Sequence, residues 1–105
     1  MIVAARQETN SAYRVVVGLG STGLSCARFL FQRGQPFAVV DTRAEPPGLA
    51  ELQREMPGVE VHAGDYPQDL VTAASELIVS PGVGMDTAIV RDALAAGVAV
   101  VGDID

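Results

Sequence analysis

A buried strand that leads through a glycine-rich turn into an amphipathic helix constrains this chain more than any other feature. Tyr13 to Gly18 reads YRVVVG, a β-branched run typical of a central strand buried on both faces of a parallel sheet. From Ser21 to Arg33 apolar residues recur at helical spacing, with Ser21 or Thr22 as the expected N-cap and Gly34 as the stop. This unit predicts an α/β fold.

The same alternation continues along the rest of the chain. Further strands are predicted at Phe37 to Asp41, Val59 to His62, Glu76 to Ser80 and Val98 to Val101. Helices are predicted between them: one with Leu49, Leu52 and Met56 on one face, one over Gln68 to Ala74, and one from a cap at Asp86 to a stop at Gly97. The pattern predicts a Rossmann-like three-layer α/β domain whose five-stranded parallel sheet has the order 3-2-1-4-5.

The length of 105 residues fits one domain. Residues 1–12 lack the apolar region of a secretory signal, and we expect them to form a flexible leader before a domain of residues 13–105. The last predicted strand is followed by Asp103-Ile104-Asp105 without a covering helix, so we expect a fragment of a larger multidomain protein.

Charge and composition narrow the function classes. The chain has seven basic residues, all arginine, and 13 acidic residues. The resulting net charge of −6 argues against attachment to nucleic acid or to an anionic membrane. No apolar run approaches the roughly 18 residues that cross a bilayer. The single cysteine, Cys26, excludes an internal disulfide. We therefore expect a soluble protein in a reducing compartment. We also expect a monomer.

The turn after the first strand carries the clearest chemical signal. Gly18 to Gly23 reads GLGSTG, a G-x-G-x-x-G pattern placed between a strand and a helix, as nucleotide binding requires. Gly18 permits the tight turn, Gly20 lets backbone approach a pyrophosphate, and Gly23 allows close packing of helix on strand. The helix N-terminus supplies N–H groups and positive dipole, so an acidic domain can still bind phosphate here. A glycine turn without a ligand is the alternative.

Asp41 ends the second predicted strand 18 residues beyond Gly23, where an acidic side chain usually meets a ribose hydroxyl. The alternative is that its carboxylate caps the turn that follows, because Asp commonly bonds its own backbone. Arg43 follows two residues later, and its planar guanidinium suits a base or a phosphate. Taken alone, Arg43 is more typical of a solvated loop charge.

A second loop is predicted to face the glycine turn. In the 3-2-1-4-5 order, the first and fourth strands are neighbours whose following helices lie on opposite faces, which opens a crevice at their carboxyl ends. Ser80-Pro81-Gly82 follows the fourth strand at that crevice. Gly82 has no side chain, so its backbone can approach a ligand there. The alternative is that these residues form only the turn that ends the strand.

Four blocks along the chain resemble the UDP-N-acetylmuramoyl-L-alanine:D-glutamate ligases, a branch of the Mur ligase family. They are Gly18 to Ser25 (GLGSTGLS), Asp41-Thr42-Arg43 followed by Pro46 to Leu49 (PPGL), Ser80-Pro81-Gly82, and Gly102-Asp103-Ile104. The similarity extends from Tyr13 to the end of the chain. The Asp-Thr-Arg block is what distinguishes this branch from the sister Mur ligases.

The resemblance implies a three-domain cytoplasmic enzyme that uses ATP and magnesium to join D-glutamate to UDP-N-acetylmuramoyl-L-alanine through an acyl phosphate, in peptidoglycan precursor synthesis. This chain resembles the first domain alone, so ATP and D-glutamate would bind to domains absent here, and we expect no cofactor in this chain. By the same resemblance, Ser21 and Thr22 would meet the diphosphate, Asp41 and Thr42 the uracil, Arg43 the base and Gly82 the opposite wall.

The chain also departs from the family in two places. Asp105 stands where the family usually has glutamate, and the leader before Tyr13 has no counterpart that we can place. Phosphoryl activation needs a G-K-[ST] loop, and this chain has no lysine, so we expect it to be non-catalytic alone. Cys26 and His62 lack the neighbours that a nucleophile or a metal set requires.

Two other readings remain open at this point. The NAD-binding domain of a dehydrogenase or nucleotide-sensing regulator would use the same glycine loop, with Asp41 on the adenosine ribose. A Rossmann-shaped interaction module with an empty site would respond to no nucleotide. The Asp-Thr-Arg and Ser-Pro-Gly blocks favour the ligase domain, because a dinucleotide site does not require them.

Overall fold

The computed structural model describes residues 13–80 and 88–101. Its strands are β1 (Arg14–Val17), β2 (Phe37–Asp41), β3 (Glu60–Ala63), β4 (Glu76–Val79) and β5 (Ala99–Val101). Its helices are α1 (Ser21–Gln32), α2 (Leu49–Glu55), α3 (Gln68–Thr72) and α4 (Ala88–Ala95). Strand and helix alternate through the described chain, as the sequence predicts.

The five strands form one parallel sheet in the order β3-β2-β1-β4-β5, which confirms the predicted topology. β1 is central: Val15 lies beside Ala38 of β2 on one side and beside Leu77 of β4 on the other. The chain moves outward from β1 to β3, then crosses to β4 on the opposite side of β1. The crossover makes β1 and β4 the pair at which the direction of winding reverses.

Each face of the sheet is covered by its own apolar core, because successive side chains of a strand point to opposite faces. Val16 and Val39 join the core under α1 and α2, with Leu24, Leu30 and Leu52. Val15, Val17 and Leu77 join the core under α3 and α4, with Val71, Ile89 and Val90. The three layers of the predicted Rossmann-like domain are therefore present.

The ends of α1 differ in one respect from the prediction. Neither Ser21 nor Thr22 caps this helix: the N-cap is Gly20, in an extended conformation and without a side-chain capping hydrogen bond. The glycine loop occupies the cap position itself, which leaves Ser21 and Thr22 inside the first turn. At the other end Gly34 has a φ of 69°, as expected of the residue that ends a helix.

Smaller differences concern the boundaries of elements, and some predictions fall on residues that the structure does not describe. β3 begins at Glu60 and ends at Ala63, one residue later than predicted, and α3 ends at Thr72 instead of Ala74. The leader, the Asp86 cap and the closing Gly102-Asp103-Ile104 block lie outside the described residues. Within residues 13–80 and 88–101, no helix has the length and apolar character needed to cross a membrane.

Candidate nucleotide-binding site

Three loops meet at the carboxyl edge of the sheet, after β1, β2 and β4. Backbone hydrogen bonds hold them together: Gly18 N–H donates to Val40 O at 2.8 Å, and Ser80 N–H donates to Val17 O at 3.0 Å. Because β1 and β4 are the strands at which the winding reverses, the helices that follow them lie on opposite faces and leave a crevice there. Of the predicted site residues, those that the structure describes lie in these loops and at the start of α1: Gly18 to Gly23, Asp41 to Arg43, and Ser80.

The glycine turn after β1 is tight at both of its outer glycines. Gly18 has a φ of 97°, in the left-handed region that favours glycine. A Cβ added at Gly23 would lie 1.9 Å from Gly18 O, so a side chain at Gly23 would collide with the turn that opens the helix. These two glycines therefore perform the turning and packing roles that the motif predicts.

The middle of the turn presents backbone to open space. A Cβ added at Gly20 would have no heavy atom within 4 Å, and Gly20 is the N-cap of α1. Leu24 N–H donates to Gly20 O at 2.9 Å as the first helical hydrogen bond, so the N–H groups before Leu24 have no partner within the helix. Ser21 is exposed and Thr22 half-buried in this first turn, which carries no acidic side chain. The geometry suits an anion.

Leu19, between the first two glycines, is fixed from two sides. Its side chain is fully buried, its N–H donates to Asp41 Oδ2 at 2.8 Å, and its carbonyl accepts from Gly48 N–H at 2.9 Å. Gly48 sits so close that an added Cβ would lie 3.0 Å from Leu19 O. Sequence reasoning missed both contacts. The Pro-Pro-Gly stretch signals a loop, but not that the loop returns to the glycine turn.

Asp41 is the buried charged side chain of the described residues, with a relative exposure of 3%. Its Oδ1 accepts from Arg43 N–H at 2.8 Å and from Arg43 Nε at 2.9 Å. Its Oδ2 accepts from Arg43 Nη2 at 2.7 Å, besides Leu19 N–H. Burial alone would raise the pKa of Asp41, but the hydrogen bonds from Arg43 and Leu19 lower it below its usual value. Asp41 is therefore ionised and fully engaged.

Arg43 extends from this carboxylate toward solvent. Its side chain remains 54% exposed while it pairs with Asp41, and the hydrogen bond to Asp41 raises the pKa of its guanidinium. Thr42, between the two, is exposed. The Asp-Thr-Arg block thus ends β2 with a cation held in place beside the glycine turn, and the alternative of a freely solvated Arg43 does not describe this structure.

Ser80 joins the loop after β4 to the loop after β1. Its Oγ donates to Gly18 O at 3.2 Å, and it lies 3.4 Å from the position of a Cβ at Gly23. Ser80 therefore lies against the glycine turn, opposite α1. Pro81 and Gly82, the other residues predicted in this wall, lie outside the described residues.

The cysteine and the histidine belong to a helix and to a strand and are not part of the three loops. His62 is on β3, where its Nε2 lies 2.7 Å from Glu60 Oε2, and Cys26 is on α1 beside Phe29 and Ile78 in a groove along the helix. In the described part of the chain, no three His, Cys, Asp or Glu side chains are grouped closely enough to hold a metal ion.

Comparison with known proteins decides the family. Residues 12–102 match the family described as "Mur ligase MurD-like, N-terminal domain". The chain belongs to this family. The match covers nearly all of the domain of residues 13–105 that the sequence predicts, from one residue before Tyr13 to one residue after the end of β5.

Two relatives of this MurD-like domain are ligases of the same name. The UDP-N-acetylmuramoylalanine--D-glutamate ligase of Pseudomonas aeruginosa is 50% identical over 93 residues, which are 89% of this chain and 21% of the relative. That of Legionella pneumophila (strain Lens) is 42% identical over 96 residues, 91% of this chain and 22% of the relative. The chain thus spans about a fifth of the length of these enzymes.

Solved structures share the fold of the MurD-like domain. A pseudomurein peptide ligase type C from Methanothermus fervidus matches with a TM-score of 0.71 at 19% identity, over 87% of this chain and 19% of that chain. A chorismate mutase/shikimate 5-dehydrogenase fusion protein from Clostridium acetobutylicum matches with a TM-score of 0.53 at 15% identity, over 98% and 46%. Proteins with different activities share this architecture, so the fold alone does not assign a function.

Proposed function

We propose that this chain binds the uridine diphosphate part of UDP-N-acetylmuramoyl-L-alanine, as the N-terminal domain of an ATP-dependent ligase that adds D-glutamate to peptidoglycan precursors in the cytoplasm. The observation that carries the proposal is the uncapped N-terminus of α1, open at Gly20 and flanked by Arg43, in a MurD-like N-terminal domain. The substrate in this proposal is taken from the names of the relatives.

The diphosphate is assigned to the first turn of α1. The N–H groups of Ser21 and Thr22 carry the positive end of the helix dipole, and their hydroxyls add donors at the same place. The chain has a net charge of −6, so local geometry must hold the anion. Gly18, Gly20 and Gly23 contribute shape: they bring the backbone close and keep Cβ atoms out of the way.

The base is assigned to the end of β2. Thr42 is exposed there, and the planar guanidinium of Arg43 suits stacking on a ring or donation to carbonyl oxygens. The resemblance also assigns Asp41 to uracil, beside the hydrogen bonds that Asp41 makes with Arg43 and Leu19. Ser80, with Pro81 and Gly82, is assigned to the opposite wall of the crevice.

The ligation chemistry is assigned to parts of the relatives that this chain does not match. ATP and magnesium would supply the activation of the substrate carboxylate there, and D-glutamate would bind there as well. This chain has no lysine for a phosphate loop, so its contribution is to bind and orient the nucleotide end of the substrate. We propose that it acts as a monomer.

The test is an amide NMR titration of the 105-residue chain with UDP, repeated with NAD. We expect UDP to shift the amides of Gly20 to Thr22 and Asp41 to Arg43, with a dissociation constant on the order of 0.1–1 mM, or about 4–5.5 kcal/mol. A preference for NAD would overturn the proposal in favour of a dinucleotide-binding domain. If neither ligand shifted any amide, the result would favour a Rossmann-shaped interaction module that binds no nucleotide.

A matched pair of variants sharpens the test. Ser21→Glu puts a negative charge into the first turn of α1, which favours the helix dipole but repels a diphosphate. We expect UDP affinity to fall at least about tenfold while stability is kept, since each 1.4 kcal/mol of repulsion is worth a factor of ten. The control, Gln32→Glu, adds the same charge at the far end of α1 and should leave UDP affinity unchanged.

A further inference from the structure

One part of the sheet has little cover on the side of α1. Within residues 13–80 and 88–101, the core on this side draws its helical residues from α1 and α2, whereas α3 and α4 join the core on the opposite side. Ile78 of β4 points to the α1 side, and β5 presents Val101, half-buried, and Ala99, exposed, on the same side. A sheet of parallel strands is almost always covered on both faces, so we expect a further element to cover β4 and β5 here.

A groove of about 420 Å³ lies between α1 and these two strands. Cys26, Phe29 and Leu30 form its wall on α1, and Ile78 and Val101 form its floor. The surface that lines the groove is almost wholly apolar, and the side chain of Phe29 is 55% exposed. Apolar surface gathered in one groove, unlike apolar residues scattered singly, indicates a binding surface.

The two ends of the groove differ in chemistry. Thr22 borders it at the carboxyl edge of the sheet, and Arg14 and Glu76, joined by an ion pair of 2.9 Å, border it at the amino edge. Arg33, at the end of α1, places its guanidinium 4.6 Å from the centre of the Phe29 ring. A helix that runs through the groove antiparallel to the strands, as α1 does, would bring its C-terminal carbonyl groups toward these arginines. Because cations stabilise the C-terminus of a helix, the charges favour that direction.

The family supplies a source for such a helix. The chain matches an N-terminal domain and spans 21% of the length of the Pseudomonas aeruginosa ligase, so most of such an enzyme follows this domain. β5 ends at Val101, on the floor of the groove and at the carboxyl edge, where a helix of the favoured direction must begin. A segment that continues from β5 can therefore enter the groove through a short connection.

We propose that this groove is the docking site of an amphipathic helix from the part of the ligase that follows the N-terminal domain. The apolar face of that helix packs on Cys26, Phe29 and Val101, and its C-terminus lies toward Arg33. The proposal rests on the proposed function, which makes this domain one part of a longer ligase. Because Thr22 belongs both to the groove and to the first turn of α1, docking places the following part of the ligase beside the proposed nucleotide site.

Cys26, the single cysteine of the chain, reports whether the groove is filled. Its rate of alkylation by iodoacetamide is measured in the 105-residue chain and in an extended chain. The extension is the segment that follows the matched region in the Pseudomonas aeruginosa ligase, with serine at any cysteine; about 15 residues allow about three helical turns. We expect this extension to slow alkylation at least about tenfold, as for a groove filled about nine-tenths of the time. A glycine-serine extension of equal length is the control and should leave the rate unchanged.

Two phenylalanines of α1 form a matched pair of variants. Phe29 is 55% exposed and lines the groove, whereas Phe31 is 50% exposed and lies beside Gly34 and Pro36 instead. Phe29→Ser should remove most of the protection in the extended chain, because the docked helix loses a large apolar contact. Phe31→Ser should keep the protection. Neither substitution adds a charge that would alter the reactivity of the thiol, and each rate is compared with that of the same variant without the extension.

Equal alkylation rates in the 105-residue chain and the extended chain would overturn the proposal. Slow alkylation that becomes fast when residues 1–12 are deleted would also overturn it, since those residues would then be the occupant. Alkylation that slows as the protein concentration rises would contradict it in favour of a second copy of the chain.

Amide spectra give a second readout if Phe29→Ser fails to fold. The ligase extension should shift the amides of Ala99 and Val101 and leave those of β3, at the other edge of the sheet, in place. An Ala99 amide that does not move would count against docking. No nucleotide enters these measurements, so a failure of docking and a failure of UDP binding are separate results.

Discussion

The Asp41 carboxylate is buried and accepts four hydrogen bonds, which makes it a source of pH-dependent stability. Its folded pKa lies below the ordinary value of 3.8 because the Arg43 and Leu19 hydrogen bonds outweigh the effect of burial. A lowered folded pKa means that the stabilisation is complete above the unfolded pKa and is lost as pH falls through the folded pKa.

We therefore predict that Asp41→Asn lowers the free energy of unfolding by about 1–3 kcal/mol at pH 7, the range for hydrogen bonds to a buried charged group. The difference from the unaltered chain should shrink as pH falls below about 4. Urea unfolding at a series of pH values measures it, with Asp69→Asn as the exposed control. A difference that is constant down to acid pH would refute the assignment to the ionised carboxylate.

The sequence predicts part of this residue-scale arrangement. The position of Asp41 at the end of a strand and the tendency of Asp to bond its own following backbone both follow from local rules, and Arg43 N–H does bond Asp41. The Leu19 contact spans 22 residues of chain, and the Gly48 contact joins two loops. Such contacts depend on the packing of β1 against β2, which no local pattern encodes.

The contact between β1 and α1 is the critical junction at the scale of elements. We predict that Gly23→Ala destabilises the protein by about 1–3 kcal/mol, although alanine favours a helix, because the new Cβ would lie 1.9 Å from Gly18 O and backbone must move. Moving Gly18 also displaces the turn, so UDP binding should weaken in the same variant.

Gly58→Ala serves as the control for this prediction. An added Cβ there has no heavy atom within 4 Å, and stability should stay equal or rise by about 0.4–1 kcal/mol through a less flexible unfolded chain. Thermal unfolding of both variants provides the measurement. Equal stabilities for Gly23→Ala and Gly58→Ala would show that the helix does not depend on the close approach.

The elements themselves were the most predictable part of the structure. Apart from β3, whose sequence is EVHA, the described strands are largely apolar runs between turn residues. The alternation of strands with helices leaves few topologies once crossovers are right-handed. The prediction of Ser21 or Thr22 as the N-cap of α1 was wrong. Ser and Thr are favoured N-caps in general, but here the glycine turn extends to Gly20 before the helix begins. Backbone geometry outweighed side-chain preference.

The two cores share one sheet, so the described chain should respond to a ligand as a single cooperative unit. A nucleotide that binds at the carboxyl edge of β1, β2 and β4 then stabilises the folded state as a whole. At 10 mM UDP and a dissociation constant of 0.1–1 mM, the linkage relation gives about 1.4–2.7 kcal/mol, or roughly 6–20 °C in Tm for a domain of this size.

Thermal scans of the 105-residue chain with UDP, with NAD and with Ser21→Glu in the presence of UDP measure this effect. We expect a concentration-dependent rise in Tm with UDP for the unaltered chain alone, since the acidic substitution repels the diphosphate. A rise of equal size with inorganic pyrophosphate would mean that the helix N-terminus binds the phosphates and the end of β2 contributes nothing. A larger rise with UDP requires that the base is also held, and the Thr42–Arg43 segment at the end of β2 is the part of the described chain assigned to hold it.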